Sequence, residues 1–194
     1  MSDLPEVGLL LLTGGRGERL GGPKHDRPHP LGGTWGGHMV RVYEAVFPGG
    51  PVELLGEALP DRPELPRMED PREGPAVALR AWAAGGGAGR ARRWWVVACD
   101  LPRWSPGDLL TWWRLAQAVD PRAEAWVVAE VEGRLQPLGG FLPGALVRRL
   151  RGLEDARLGG LWAALPGHKV STQGLHWVDV DDPEGLERFL RSPV

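Results

Sequence analysis

The apolar positions of this chain fall into short blocks separated by glycine, proline and charged residues. Residues 7–12 form a continuous apolar run that ends at glycines, a pattern typical of a strand buried on both faces. Similar blocks predict strands at 52–55, 94–98 and 176–180, with at most a brief strand at 65–67. Apolar residues at helical spacing predict helices at 39–47, 75–84, 106–119, 143–150, 156–165 and 183–190.

The order of these elements indicates the fold class. Strands that alternate with helices predict βαβ units and a mainly parallel sheet. Residues 125–129 and 135–138 read as two strands joined by a short glycine turn, and such a hairpin makes the sheet mixed. Ser105 and Asp182 are the predicted N-caps of the helices that follow them. We expect an α/β fold in which residues 1–194 form one domain.

Composition narrows the possible functions. The chain has 194 residues, 42% of them hydrophobic, and a formal net charge of -2, which predicts neither nucleic acid nor an anionic membrane as a partner. The apolar run near the start is too short to span a bilayer, and a single cysteine, Cys99, cannot form an internal disulfide. These features predict a cytoplasmic protein that is a monomer or a small homo-oligomer.

The glycine-rich segment 12–24 is the main candidate for chemistry. Glycines after a buried strand let the backbone approach phosphate oxygens with N–H groups directed at the anion. Arg19 and Lys24 add positive charge there. The prolines that follow rule out the dinucleotide fingerprint, and Lys24 followed by His25 is not a P-loop. In a chain with 29 glycines an ordinary turn is the alternative, but Lys24 is one of only two lysines in an arginine-rich chain.

The segment 12–24 carries a recognisable pattern. Its string Leu-x-Gly-Gly-x-x-x-Arg-Leu-Gly-x-x-Lys resembles the signature of the molybdenum cofactor guanylyltransferase family and its nucleotidyltransferase relatives. Further motifs that resemble the family follow in the same order. They are Glu69-Asp70 before Gly74-Pro75, Cys99-Asp100-Leu101-Pro102, Gln136-Pro137-Leu138 and 178–184.

This resemblance implies a three-layer α/β/α, Rossmann-like nucleotidyltransferase fold and a role for each matched residue. Leu12, Thr13 and Gly14 would line the base and ribose, and Gly15, Arg19 and Lys24 would hold the triphosphate. Asp70 would contribute to the nucleotide site and Asp100 would bind Mg²⁺. The matched residues Gln136, Pro137, Asp179 and Asp181 are candidates for binding the acceptor.

The sequence departs from the family pattern at several points. The chain has no Asn, so Gly56 or Glu57 stands where the family has an Asn for the base, and Asp179 and Asp181 replace two others. The segment 25–37 is richer in His, Pro and Gly than the usual helix start. These changes leave guanine selectivity open.

The acidic residues at two strand ends fit metal-dependent chemistry. Mg²⁺ prefers oxygen ligands and takes one or two protein carboxylates together with phosphates and water. Asp100 follows a buried strand, at the end where ligands bind in open α/β sheets. Asp179 and Asp181 share one side of the last predicted strand, and Asp179 could add a second metal contact. The alternatives are a turn cap for Asp100 and a solvated strand end for the other two.

Other reactive side chains receive no role. Attack by the acceptor's own phosphate needs no protein nucleophile, so Cys99 and the five histidines are not assigned a catalytic function. His25 and His29 read as surface residues. Trp94 and Trp95 read as core, whereas Trp112 and Trp113 are expected to divide between a buried and an exposed helix face.

The leading hypothesis is an enzyme that joins GMP from GTP to molybdopterin-bound molybdenum cofactor and releases pyrophosphate. The nearest alternative is the same chemistry with another base or acceptor, either CTP with molybdopterin or an NTP with a phosphorylated sugar. A second alternative is a nucleotide-binding protein that has lost turnover. A third alternative, a dinucleotide-dependent oxidoreductase, is disfavoured. Its motif requires a helix directly after the glycine-rich loop and an acidic residue at a set distance, and this chain has neither.

Overall fold

A computed structural model of the chain describes residues 5–15, 17–172, 175, 177 and 180–191. Seven strands form one sheet: β1 (Val7–Leu12), β2 (Val52–Leu55), β3 (Arg67–Met68), β4 (Arg93–Ala98), β5 (Trp126–Val131), β6 (Arg134–Pro143) and β7 (Gly167–Ser171). The helices are α1 (Trp35–Val46), α2 (Pro75–Ala84), α3 (Pro106–Val119), α4 (Gly144–Leu150), α5 (Leu158–Ala163) and α6 (Pro183–Arg191).

The sheet is mixed, as the hairpin predicts. Its strand order is β3-β2-β1-β4-β6-β5-β7. β6 pairs antiparallel with both β4 and β5, and the other pairings are parallel. Glu132 and Gly133 join β5 to β6 with positive φ angles of 49° and 77°, which match the twist of a tight hairpin. The predicted combination of parallel units and one hairpin is confirmed.

Helices cover both faces of the sheet, which confirms the three-layer α/β/α fold. Side chains alternate between faces along a strand. Accordingly Leu9 and Leu11 of β1 join the core cluster that contains α1 and α3, whereas Leu10 and Leu12 join the cluster of α2, α4 and α5. Trp94 and Trp95 divide in the same way and are fully buried, as expected of core residues.

Two helix starts follow from local sequence chemistry. Ser105 caps α3 in a reciprocal capping box with Asp108, and Pro106 occupies the first turn, as predicted. The Thr34 hydroxyl caps α1 by accepting from the amide of Gly37 at 3.0 Å. The prolines that precede Thr34 delay α1 until Trp35.

Several predicted elements need correction. β7 was not predicted, because four of its five residues are exposed and show no apolar alternation. α5 is shorter than the predicted helix at 156–165. Trp112 and Trp113 are both buried, since α3 packs against α1 as well as the sheet. The predicted strand at 176–180 includes 176, 178 and 179, which lie outside the described residues.

No helix within the described ranges is long and apolar enough to cross a membrane.

Candidate functional site

A cavity of about 1510 Å³ lies at the carboxyl ends of β1 and β4. Ligands bind at this edge of open α/β sheets because loops diverge there and peptide N–H groups are available. Leu12 and Gly14 line the cavity after β1, Gly56 lines it after β2, and Asp100 lines it after β4. The fold therefore brings three strand ends to one opening.

The glycine-rich loop forms one wall of the cavity. Gly17 has φ 56°, and a Cβ there would overlap the carbonyl oxygen of Gly22. The amide of Gly22 donates back to the carbonyl of Gly17 at 3.2 Å, which closes the loop around a short 3₁₀ turn at Glu18–Leu20. Arg19 is exposed on this turn. The loop thus presents both backbone and guanidinium groups to the cavity.

A three-residue charge cluster occupies the cavity floor. The Nζ of Lys24 lies 3.6 Å from Oδ2 of Asp100 and hydrogen-bonds Oδ1 of Asp181. Burial lowers the pKa of Lys24, but the attraction of Asp100 and Asp181 outweighs it and holds that pKa above its ordinary value. Burial raises the pKa of Asp100, and the nearby ammonium of Lys24 opposes that rise only in part.

Asp70 lies against the first glycine of the loop. A Cβ at Gly14 would overlap the carboxylate of Asp70. Oδ1 of Asp70 accepts from the backbone N–H of Arg72 at 2.7 Å, which fixes the carboxylate over the end of β1. A larger residue at position 14 would therefore have to displace the carboxylate of Asp70.

A second charged group forms the opposite wall. Glu57 carries a carboxylate 3.1 Å from the guanidinium of Arg72 and 3.8 Å from that of Arg67, and all three residues line the cavity. The hydroxyl of Thr13 donates to the carbonyl of Glu57 at 2.7 Å and links this wall to β1. The resemblance names Glu57 only as a neighbour of the base. Arg67 and Arg72 carry no sequence signal.

Three histidines are buried, and for His25 and His29 this corrects the prediction that they lie at the surface. His25, His29 and His38 expose 5%, 4% and 5% of their surface. Sequence patterning missed them because the turn-rich segment before α1 folds back against the loop after β4. Cys99 is also buried, and burial raises the pKa of its thiol to about 12, which makes it a poor nucleophile.

A family model, the MobA-like NTP transferase domain, matches residues 9–171. This chain belongs to that family. The "Probable molybdenum cofactor guanylyltransferase" of Rhodopirellula baltica is 34% identical in an alignment of length 184 that covers 83% of this chain and 79% of that protein. The resemblance drawn from the motifs is confirmed, and the chain is a nucleotidyltransferase.

Solved structures of low identity share the fold. Molybdopterin-guanine dinucleotide biosynthesis protein A from Archaeoglobus fulgidus is 15% identical, with TM-score 0.70 over 96% of this chain and 100% of that chain. 2-C-methyl-D-erythritol 4-phosphate cytidylyltransferase from Thermus thermophilus is 19% identical, with TM-score 0.64 over 94% and 96%. The same architecture is thus found in proteins named for different bases.

The MobA-like fold brings most of the predicted site residues to one cavity. Its lining includes Leu12, Gly14, Gly15, Arg19, Lys24, Asp70, Asp100 and Asp181. Thr13 is completely buried and its hydroxyl is engaged by Glu57, so its side chain does not line the cavity as expected. Gln136 and Pro137 do not line it either, because β6 presents Leu138 there instead. Asp179 lies outside the described residues.

The donor set fits one divalent cation. Among the described residues no group of three or more His, Cys, Asp and Glu side chains could hold a metal alone. Asp100 and Asp181 nevertheless both approach one cation, the ammonium of Lys24. Mg²⁺ usually takes one or two protein carboxylates and completes its shell with phosphate oxygens and water. Two carboxylates at a triphosphate-sized cavity match that requirement.

Proposed function

We propose that this MobA-like protein transfers GMP from GTP to molybdopterin-bound molybdenum cofactor and releases pyrophosphate. The observation that carries the proposal is the placement of Lys24 between Asp100 and Asp181 in a cavity whose wall is the glycine-rich loop. The printed name of the Rhodopirellula relative supports the choice of base and acceptor.

The reaction is a substitution at the α-phosphorus. A terminal phosphate oxygen of the acceptor forms a bond to that phosphorus, the bond to the β-phosphate oxygen breaks, and pyrophosphate leaves with the bonding electrons. No side chain needs to form a covalent intermediate. Catalysis then depends on positioning and on stabilising negative charge at the phosphates. These are tasks for fixed cations and backbone N–H groups.

The loop and two cationic side chains would bind the triphosphate. The amide of Gly14 donates to the carbonyl of Leu55 at 3.2 Å, so the backbone N–H proposed for the phosphates at the end of β1 is that of Gly15. Arg19 can engage two phosphate oxygens, whereas Lys24 acts as a compact point charge. Phosphate oxygens would compete with Asp100 and Asp181 for the three N–H donors of the Lys24 ammonium.

Asp100 and Asp181 would hold Mg²⁺, and Asp179 remains a further candidate. The cation supplies charge neutralisation for the phosphates and for the departing pyrophosphate. The cavity lining supports this assignment because acidic side chains outnumber basic ones in it. They are Glu18, Asp26, Glu57, Glu69, Asp70, Asp100 and Asp181, against Arg19, Lys24, Arg67 and Arg72. A triphosphate would be repelled there without an additional cation.

Asp70 is our candidate for base selection. Guanine offers N1–H and its amino group as donors, and one Asp70 oxygen already accepts a backbone N–H, which leaves the other available. Among the acceptor candidates that the structure describes, Asp181 lines the cavity, whereas Gln136 and Pro137 do not. We therefore propose that the acceptor binds beside the charge cluster of Lys24, Asp100 and Asp181 rather than at β6.

The experiment is a transfer assay with purified molybdopterin-bound molybdenum cofactor, Mg²⁺ and each nucleoside triphosphate in turn. Pyrophosphate and the dinucleotide product are both quantified. We expect the highest kcat/KM with GTP, roughly ten-fold above CTP, the size of one charged hydrogen bond. A higher kcat/KM with CTP would contradict the assignment of guanine as the base. Nucleotide binding without transfer by any triphosphate would contradict the activity and favour a binding protein.

A further inference from the structure

Two stacked histidines lie beside the charge cluster and are unused by the proposed reaction. The rings of His29 and His38 are 3.8 Å apart between centroids and are inclined by only 8°. Both side chains are buried. Buried polar rings destabilise a fold unless their nitrogen atoms are hydrogen-bonded. Their partners therefore indicate what the pair does.

Hydrogen bonds fix the protonation of His29. Its Nε2 lies 2.9 Å from the carbonyl oxygen of Pro102, and its Nδ1 lies 3.1 Å from the amide nitrogen of Leu31. A carbonyl oxygen can only accept and an amide N–H can only donate. The proton must be on Nε2, and Nδ1 must be free to accept. His29 is therefore a neutral ring that donates to the loop after β4.

His38 makes the matching contact two residues further along the same loop. Its Nε2 donates to the carbonyl oxygen of Trp104 at 2.8 Å. His38 belongs to α1, so the loop 101–104 is tied both to this helix and, through His29, to the segment that follows the glycine-rich loop. Because the two rings are stacked, the Nε2–H groups of His29 and His38 donate to this loop side by side.

The pair lies close in sequence to two members of the charge cluster. His29 follows Lys24 on one segment without an intervening helix or strand, and Pro102 follows Asp100 on the other. The single hydrogen bond from His29 to Pro102 thus spans the same two segments as the 3.6 Å contact between Lys24 and Asp100.

The C-terminal helix α6 and the residues before it contact both of these segments. Phe189 of α6 is fully buried, and its ring centroid lies 5.6 Å from that of His29. Residues 180–182 lead into α6, with Asp182 accepting from the amide of Gly185 at 2.7 Å. The amide of Val180 also donates to the carbonyl of Asp100 at 3.0 Å. The segment that carries Asp181 is therefore held against the same two histidine-bound segments.

We propose that His29, braced by the ring of His38, is a positioning residue that sets the distances among Lys24, Asp100 and Asp181. The inference goes beyond the proposed function and requires no particular base or acceptor. It implies that a buried neutral ring outside the cavity controls where the cavity's cation and carboxylates lie.

The charged groups around the pair favour its neutral state. The positive charge of Arg41 on α1 helps to lower the pKa of both rings, and its guanidinium lies 3.8 Å from the carboxylate of Asp61. From the loop after β4, the guanidinium of Arg103 lies over the ring of Phe189 at 6.0 Å, so it adds positive charge on the side of α6. A proton on Nδ1 of His29 would remove the bond from Leu31 and place a second cation near Arg41.

The two lysines of the chain provide a direct test. Lysine labelled with ¹³C at Cε gives one NMR signal for Lys24 and one for Lys169, whose ammonium is 2.9 Å from Glu130 on the far edge of the sheet. The Lys24 signal of an Asp100→Asn variant defines the position of the signal when the contact with the Asp100 carboxylate is lost and that with Asp181 remains. The Lys169 signal is the internal reference.

The decisive comparison is between two amides at position 29. Gln places its NH₂ near the former Nε2 and can donate to Pro102, whereas Asn is too short to reach. We expect His29→Gln to keep the wild-type Lys24 signal and His29→Asn to shift it toward the Asp100→Asn position, with Lys169 unchanged. The control is Tyr43→Phe, which removes a buried 2.8 Å hydrogen bond from α1 to the carbonyl of Val7. It should lower the melting temperature and move neither signal.

The proposal is overturned if the folded His29→Asn protein keeps the wild-type Lys24 signal, or if Tyr43→Phe shifts that signal equally. Should His29→Asn fail to fold, His38→Asn and His38→Gln make the same comparison, and an unshifted Lys24 signal in His38→Asn rejects the idea. The readout needs no nucleotide, so a failed transfer assay would leave this result standing.

Discussion

The ammonium of Lys24 lies 3.6 Å from the carboxylate of Asp100, although one residue follows β1 and the other follows β4. The ammonium of Lys24 compensates the charge of Asp100 and is itself also paired with Asp181. A triphosphate competes for the ammonium, and a divalent cation competes for the carboxylate. Binding of the two ligands should therefore be coupled, because each releases the partner that the other requires.

Lys24→Ala should weaken the binding of GTP more than that of GMP. The ammonium is expected to face the outer phosphates, which GMP lacks. Titration calorimetry with both nucleotides in the presence of Mg²⁺ measures the difference. Lys169→Ala is the matched control because it removes the other lysine of the chain, on β7 and away from the cavity. Equal losses for GTP and GMP would remove Lys24 from the triphosphate site.

Asp100→Asn should reduce Mg²⁺-dependent turnover by about 100-fold or more while the fold persists. The amide keeps the shape of the side chain but loses the charge that would attract the cation.

Burial raises the pKa of Asp100 in the folded protein, so its ionised form opposes folding at neutral pH. The melting temperature of the variant should therefore equal or exceed that of the wild type. A variant that retains most of its activity at saturating Mg²⁺ would contradict the metal assignment.

Base preference should depend on Asp70. Asp70→Ala should erase most of the preference for GTP and leave CTP binding nearly unchanged, because cytosine offers the carboxylate only its amino group. The loss of one charged hydrogen bond corresponds to roughly 1.5–3 kcal/mol. Affinities of GTP and CTP for both proteins, measured by calorimetry, decide the point. A wild type that binds both equally would show that guanine is the wrong base.

Gly14→Ala should weaken GTP binding through the same carboxylate. The added Cβ would overlap Asp70 and displace it from the end of β1. Gly159→Ala is the matched control, since a Cβ there meets no atom within 4 Å in α5. The control should bind GTP like the wild type. If Gly14→Ala does so too, Asp70 lies outside the contact region of the nucleotide.

Local chemistry made the central part of the fold predictable. The run of β1 is apolar on both faces, so it reads as a central strand, and the pair Ser105-Pro106 specifies the start of α3 without help from tertiary contacts. β7 could not be found in this way because it is an exposed edge strand held by pairing with β5. Its residues carry no periodicity to detect.

The candidate site was predictable where a motif carries it and not where packing creates it. Lys24 and Asp100 stand in recognisable strings, whereas their meeting with Asp181 depends on how the C-terminal segment returns to the sheet. His29 illustrates the limit most clearly. It lies between prolines in a polar segment that reads as surface, and it is buried by tertiary contacts with the loop after β4, with His38 and with Phe189.

The stability of the protein should fall in mildly acidic solution because of the histidine pair. Burial, together with the adjacent ring of His29, lowers the pKa of His38 to about 4, below the ordinary value of 6.5. As the pH falls below 6.5 the unfolded chain binds a proton that the folded protein refuses, so the free energy of unfolding decreases. This contribution should decline between about pH 6.5 and about pH 4, by on the order of 3 kcal/mol, and level off below that range.

Urea unfolding of the wild type and of His38→Gln at several pH values between 7 and 4 measures the contribution of His38 to the free energy of unfolding. Glutamine retains a donor for the carbonyl of Trp104 but does not titrate. Carboxylates such as Asp61 contribute to both proteins, so their effect cancels in the difference between the two curves. The wild type should lose more stability than His38→Gln as the pH falls, because only the wild type carries the contribution of His38. Parallel curves would mean that His38 titrates near its ordinary pKa and that the stack does not enforce a neutral ring.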